Sequence, residues 1–372
     1  MDYVKLYDLA LVADLVLMLF SAWYFLTAKT PDKPIFANFL RSRRLMAFAL
    51  LTLSANYLVH LFVGLRFSAP HLAIAMNLST YFLVYWLFSS AFAVLLNRHF
   101  LTVSRFLKHI TYWIIYATIA VCVVTIVPQG PNQKIWLLVL AFYLFAYGIY
   151  LSYNLIRMYR RAVKLFDDTH SEHIAAYIRW MSVFTWWALI YGVSCGLLTF
   201  LPEHLTFLWV LSSLPFYAYL FCSYINYMLF YEKVETILEN EPELPFDTDS
   251  TPNTTQIVSK AYKATIEKKL KAWISTDNYT TPGLSIADLA TTLDVDRAAL
   301  SSYIKTTFNL SFREWIVSLR IDFAKRMLTQ HPGISISAVS EASGFLSLSY
   351  FTKIFRDKEG CAPTQWRKNH KN

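Results

Sequence analysis

The stretch that decides the reading is Ser285-Ile286-Ala287-Asp288-Leu289-Ala290-Thr291-Thr292-Leu293-Asp294-Val295-Asp296-Arg297-Ala298-Ala299-Leu300-Ser301-Ser302-Tyr303-Ile304. Ser285 stands directly before an apolar-periodic run with a carboxylate, Asp288, three residues on, the pattern of a capped helix start. Leu293-Asp294-Val295 reads as a tight turn, and Asp296 as the cap of a second helix, Arg297–Phe308. Only Leu300 and Ile304 mark the inward face of that second helix. A short helix, a tight turn and a second helix with one face unclaimed predicts a helix-turn-helix, whose free face suits a DNA major groove.

The same unit recurs further along the chain. Ser335 caps Ile336–Ser343, Gly344 turns the backbone, and Leu348–Lys358 is a second recognition helix. Between the units runs Phe312–Gln330, with Trp315, Leu319, Phe323 and Leu328 as an apolar stripe, stopped by Pro332-Gly333. Ahead of them, Ile257–Ile274 places Tyr262, Ile266, Leu270 and Trp273 at helical spacing.

From about residue 265 to 368 this pattern resembles the AraC/XylS family of transcription regulators. In the first half the resemblance rests on Asp288-Leu289-Ala290, Leu300, Ser311-Phe312, Arg320, Ala324 and Leu328. In the second it rests on Gly344-Phe345, Ser349-Tyr350-Phe351, Lys353, Phe355, Gly360, Pro363 and Trp366-Arg367, the last pair replacing the usual Tyr-Arg. Asn309 stands where the family has Gly, and Asn is the next best residue for a left-handed helix end. Val339-Ser340 replaces an Ile-Ala pair and brings a hydroxyl to a tight helix contact, while Asp296 replaces a Ser cap.

The resemblance implies that the two recognition helices enter successive major-groove segments on one face of double-stranded DNA. Carried over by position, the first presents Arg297, Ala298, Ser301, Ser302 and Lys305. The second presents Ser347, Leu348, Ser349, Thr352 and Lys353, with Arg356 near the backbone. Bidentate base readers are scarce in this set, so hydroxyls, apolar contacts and DNA shape are expected to carry much of the specificity. Lys305 and Arg356 are expected on phosphates.

Upstream, the chain has a different character. Hydrophobic residues make up 56% of the 372 residues and charged ones only 16%, too apolar for an ordinary soluble protein. The net charge of +9 divides into +8 over residues 1–231, −6 over 232–259 and +7 over 260–372. Seven segments have the length and apolarity to cross a bilayer core: 6–27, 45–67, 73–96, 110–127, 135–156, 181–200 and 207–231. Thirteen basic residues fall in the first, third and fifth loops, against Lys5, Arg66 and Lys134 on the other side. That bias predicts an external N-terminus and a cytoplasmic C-terminus. The first run lacks a basic leader and a cleavage site, and reads as a retained helix.

The expected fold class is therefore all-α: a seven-helix transmembrane bundle (1–231) followed by an all-α domain with two helix-turn-helix units (257–372). Between them, 232–256 holds a helical extension with Tyr231, Val234 and Leu238 on one stripe, then an acidic linker bearing Pro242, Pro245 and Pro252. The extension reads either as a solvated exit or as a pairing face in a homodimer.

Asp14 in the first span, and Asn56 and His60 four apart in the second, are the candidate signal or ligand site. A carboxylate in a bilayer must be paired or wet, so the alternative is an interhelical hydrogen bond. Gly192 and Gly196 form a G-x-x-x-G that suits close helix packing, and Pro215 predicts a kink in the last span. His170-Ser171-Glu172-His173 looks like a metal fragment but is too short to define a site. Cys122, Cys195, Cys222 and Cys361 lack metal-ligand spacing and read as buried or unpaired thiols. No phosphate-binding loop, G-x-S-x-G or H-E-x-x-H occurs, so no catalytic residue, cofactor or metal is assigned and the chain is not read as an enzyme.

The expectation is a transcription regulator of a bacterial inner membrane whose partners are double-stranded DNA, the lipid bilayer and an unknown small-molecule or membrane signal. A transporter or membrane enzyme with an appended regulatory domain, and spans that only anchor, are the competing readings.

Overall fold

Helix follows helix through the computed structural model, which describes residues 3–198, 201–239 and 260–370, with backbone alone at 192–198, 203, 239, 260 and 261. No strand occurs among the described residues, beyond an isolated bridge between His170 and Ser285. The chain divides into two compact units, one of residues 1–162 and 177–242, the other of 163–176 and 243–372.

The first unit contains α1 (Tyr3–Thr27), α2 (Ala37–Val63), the single turn α3 (Leu65–Ser68), α4 (Pro70–Leu96), α5 (Val103–Ile126), most of α6 (Pro131–Thr169), α7 (Ala175–Leu198), α8 (Thr206–Leu211) and α9 (Leu214–Glu239). Among the described residues six helical stretches are long and apolar enough to cross a membrane. The sixth expected span lies on α7, part of which, with Gly192 and Gly196, falls outside the described side chains. Helix α2 packs between α1 and α4, and α4 continues to α5. Aromatic rings join the remaining helices: Phe82 stacks on Tyr147 at 4.2 Å, and Phe184 lies 4.8 Å from Phe92 and 4.6 Å from Phe216.

Two expectations about the spans are corrected. The second expected span ran on to residue 67, but α2 ends at Gly64, whose φ of 61° is a left-handed conformation that glycine adopts without penalty. The last expected span is two helices, because the chain breaks at Ser212-Ser213. Pro215 then sits in the first turn of α9, where its missing N–H removes no helical bond, so it starts a helix instead of kinking one.

Asp14 and His60 do not meet. Asp14 is buried and accepts a hydrogen bond from the Ser213 hydroxyl at that break. Asn56 and His60 converge on Asn77, whose side-chain oxygen accepts from Asn56 at 3.1 Å and lies 2.8 Å from His60 Nε2. Asn56 also donates to Thr80 at 3.1 Å. Helix α9 does extend beyond the expected span, but Tyr231 and Val234 are buried, with Phe36 and Phe39 about 5 Å from the Tyr231 ring. That stripe is occupied within its own chain. Residues 240–259, which hold the expected linker, lie outside the described residues. Cys122, Cys222 and Cys361 are unpaired as expected, the first two exposed and the last half-buried, while the side chain of Cys195 lies outside the described residues.

Candidate DNA interface

The second unit is built from α10 (Lys260–Ile274), α11 (Ile286–Leu293), α12 (Arg297–Phe308), α13 (Phe312–Gln330), α14 (Ile336–Ala342), α15 (Leu348–Glu359) and α16 (Pro363–Asn369), together with residues 163–176. Its helix starts are capped as the sequence implies. Ser285 and Asp288 form a reciprocal capping box, and Asp296 accepts from the Ala299 N–H at 2.8 Å. Ser335 and Ser347 cap α14 and α15. Asn309 ends α12 at φ 55°, taking the left-handed role that suits Asn after Gly.

Two hydrophobic cores lie side by side and α13 serves both. Phe312, Trp315 and Ile316 pack with Ile266, Leu270, Leu289, Leu300 and Ile304. Val317, Ile321, Ala324 and Leu328 pack with Val339, Phe345, Phe351 and Phe355. Each large side chain so buried stabilises the fold by roughly 1.5–3 kcal/mol, and the shared helix fixes the two helix-turn-helix units relative to one another.

The turn at Tyr279-Thr280-Thr281 locks that arrangement. Tyr279 is buried in the first core. Arg320 of α13 donates to the Tyr279 carbonyl at 2.9 Å and to the Thr281 carbonyl at 2.8 Å, and its guanidinium lies 5.9 Å from the centre of the Phe345 ring in the second. Burial pushes the Arg320 side chain down to about 10. Arg320, one of the residues carrying the family resemblance, is thus a structural tie and is turned away from solvent.

The expected recognition helices carry a mixture of exposed and half-buried side chains. On α12, Ala298 and Lys305 are exposed, with Arg297, Ser301 and Ser302 half-buried. On α15, Ser347, Leu348, Ser349, Lys353 and Arg356 are exposed and Thr352 is half-buried. Leu348, Ser349, Thr352, Lys353 and Arg356 share one shallow concavity with Asp357. Leu346, 65% exposed and beside the 45% exposed Leu348, was not among the predicted residues. Its signal was an apolar residue between a turn and an N-cap, where no core needs one, and such a side chain suits a thymine methyl.

Arg313 was also missed. It sits in the first turn of α13, where the helix dipole disfavours a cation, and that misplacement implied a partner. Its Nη1 donates to the Tyr350 hydroxyl at 2.9 Å, and its Nε to the Asp167 carboxylate at 2.6 Å. Glu314, next to it, accepts from the Ser311 N–H at 2.9 Å in a second capping box, and that bond holds its carboxyl below the usual range.

Residues 289–369 match the helix-turn-helix domain family model. The chain is similar to the Msm operon regulatory protein of Streptococcus mutans, at 30% identity over 24% of this chain and 32% of that protein. It is also similar to the transcriptional activator NphR of a Rhodococcus species, at 30% identity over 23% and 27% of the two chains. An uncharacterized HTH-type transcriptional regulator of Bacillus subtilis, YobQ, is 37% identical over 23% of this chain and 34% of its own. The similarity thus spans about a third of the length of these relatives, and no solved structure matches. The capped double unit, the shared helix and these similarities together make the C-terminal region of this chain an AraC-type helix-turn-helix domain, similar to those of transcription regulators.

Proposed function

We propose that the protein is a membrane-embedded, sequence-specific DNA-binding regulator that couples a signal at a bacterial inner membrane to gene expression. The observation that carries the DNA half is the pair of helices α12 and α15, held by one helix and presenting the exposed cations Lys305, Lys353 and Arg356. The membrane half is supported by the apolar helices whose large side chains point outward. On α5 only Tyr116, Ala120 and Val123 are buried, while Ile114, Ile115, Ile119, Val121 and Ile126 are exposed. Lipid is the solvent that tolerates such a surface. The bias of basic residues toward alternate loops supports a cytoplasmic DNA-binding domain.

Sensing is favoured over anchoring by the interior of the first unit. Asp14 is held by Ser213, and Ser213 also borders a cavity of about 100 Å³ with Tyr57, Tyr81, Tyr85 and Trp209. An anchor needs neither a buried carboxylate nor a void. Genome-wide occupancy of the full-length protein tests the function: discrete promoter sites whose occupancy falls in Lys353→Ala/Arg356→Ala support it, and an unchanged or featureless profile contradicts it.

A further inference from the structure

The strongest relationship that the DNA-binding reading leaves unused is the place of residues 163–176. They fold with the second unit, although in sequence they follow directly from an apolar run and end helix α6. The contacts are several and independent. Asp167 pairs with Arg313 through two oxygens, at 2.6 and 3.3 Å, with only 23% and 15% of the two side chains exposed. The Ser171 N–H donates to the Leu284 carbonyl at 2.9 Å, and His170 bridges to Ser285, the cap of α11. The His173 ring lies parallel to Tyr350 of α15 at 5.3 Å. Asp168 lies in the field of Lys305, and Glu172 in that of Arg320.

These groups lie beside the expected recognition helices α12 and α15. Lys305 is on α12 and Tyr350 in the first turn of α15, where its hydroxyl accepts from Arg313 of α13. The first helix of such a unit crosses the phosphate backbone, and His170 and Ser171 lie against the start of α11. Asp167 thus occupies Arg313 directly, and Asp168 lies in the electrostatic reach of Lys305, in a domain whose affinity for a polyanion would come from releasing counterions.

We propose that segment 163–176 is an internal phosphate mimic, which holds the DNA-binding domain in a low-affinity state until DNA or a change in α6 displaces it. The inference rests on the DNA-binding reading above. Docked, Asp167 and Asp168 neutralise cations that would otherwise meet DNA phosphates. Released, those cations join the interface, so segment and duplex compete. Helix α6 is continuous from Pro131 to Thr169, which gives events elsewhere in that helix a covalent route to the dock.

The test is fluorescence anisotropy of a labelled random-sequence duplex with the full-length protein in lipid nanodiscs, comparing wild type with Asp167→Asn/Asp168→Asn. The variant is expected to bind at least about fivefold tighter, the low end of couplings between linked sites, with a steeper salt dependence. His173→Ala, which removes the ring contact with Tyr350, should tighten binding in the same direction. Should the variants misfold, protease cleavage within 163–176 of the wild type still decides, because added duplex must increase it. Equal or weaker binding by the carboxamide variant, or cleavage that DNA leaves unchanged, overturns the proposal. Absence of duplex binding by every form instead overturns the DNA-binding reading on which it rests.

Discussion

A Cβ placed on Gly344 would fall 2.7 Å from the carbonyl carbon of Thr280 and closer still to its oxygen. The turn of the second helix-turn-helix unit therefore presses directly on the turn that Arg320 holds from the other side. Gly344 also has a φ of 80°, so an alanine there meets backbone strain and a backbone clash together. Gly344→Ala is expected to cost about 2 kcal/mol or more, read as a lower denaturant midpoint for the C-terminal domain. Gly333→Ala, with nothing within 4 Å, should leave the midpoint nearly unchanged.

Ser340 is buried and its hydroxyl has no hydrogen-bond partner among the described residues. Replacing it with Ala, the residue the family uses there, removes an unsatisfied group while nearly conserving volume. Ser340→Ala should stabilise the domain by about 1 kcal/mol, and a fall in melting temperature would contradict that account.

The capping box at Ser311 and Glu314 gives a pH prediction. The Glu314 carboxyl is held below its ordinary value of 4.5 by the Ser311 N–H and hydroxyl. A depressed folded value means that the contribution is fully present above that ordinary value and is lost as pH falls through the folded one. Ser311→Ala should cost about 1 kcal/mol at neutral pH, with the difference from wild type shrinking in acid below the folded value. Urea melts at several pH values measure both.

Lys305 and Lys353 are exposed on the two recognition faces. Alanine at Lys305 should weaken binding to all sequences alike and reduce the salt slope by about 1. Alanine at Ser349 or Leu348 should instead change which sequences are preferred. Binding-site selection at two salt concentrations separates these outcomes.

Asp14 and His60 belong to separate hydrogen-bonded groups, one through Ser213 and the other through Asn77. If the spans sense, Asp14→Ala and His60→Ala should each abolish or fix the transcriptional response while protein levels hold. An unchanged response in both variants returns the first unit to a mere anchor.

The C-terminal domain was legible because its signals are local. Ser285, Asp296, Ser335 and Asn309 state helix ends by their own chemistry, and the structure uses each as written. The role of α13 was only half legible. Its apparent stripe of Trp315, Leu319, Phe323 and Leu328 omits Ile316, Val317, Ile321 and Ala324, which are buried because the helix packs against two cores at once. A single-face pattern cannot anticipate a helix with two buried faces. The candidate interface was read from helix position, whereas Arg313 and Asp167 come together from 146 residues apart, and no spacing rule connects them. The break before Pro215 was misread for a related reason: proline announces an interruption, but whether it bends a helix or begins one depends on the residues before it.

The most direct test of the central claim is a footprint of the full-length protein in nanodiscs on a promoter it occupies in cells. Two protected segments, centred about one helical turn or 10 base pairs apart on one DNA face, are predicted. Lys353→Ala/Arg356→Ala should lose the segment that α15 covers and keep the one under α12. A footprint of one segment only, or one indifferent to those substitutions, would contradict the account.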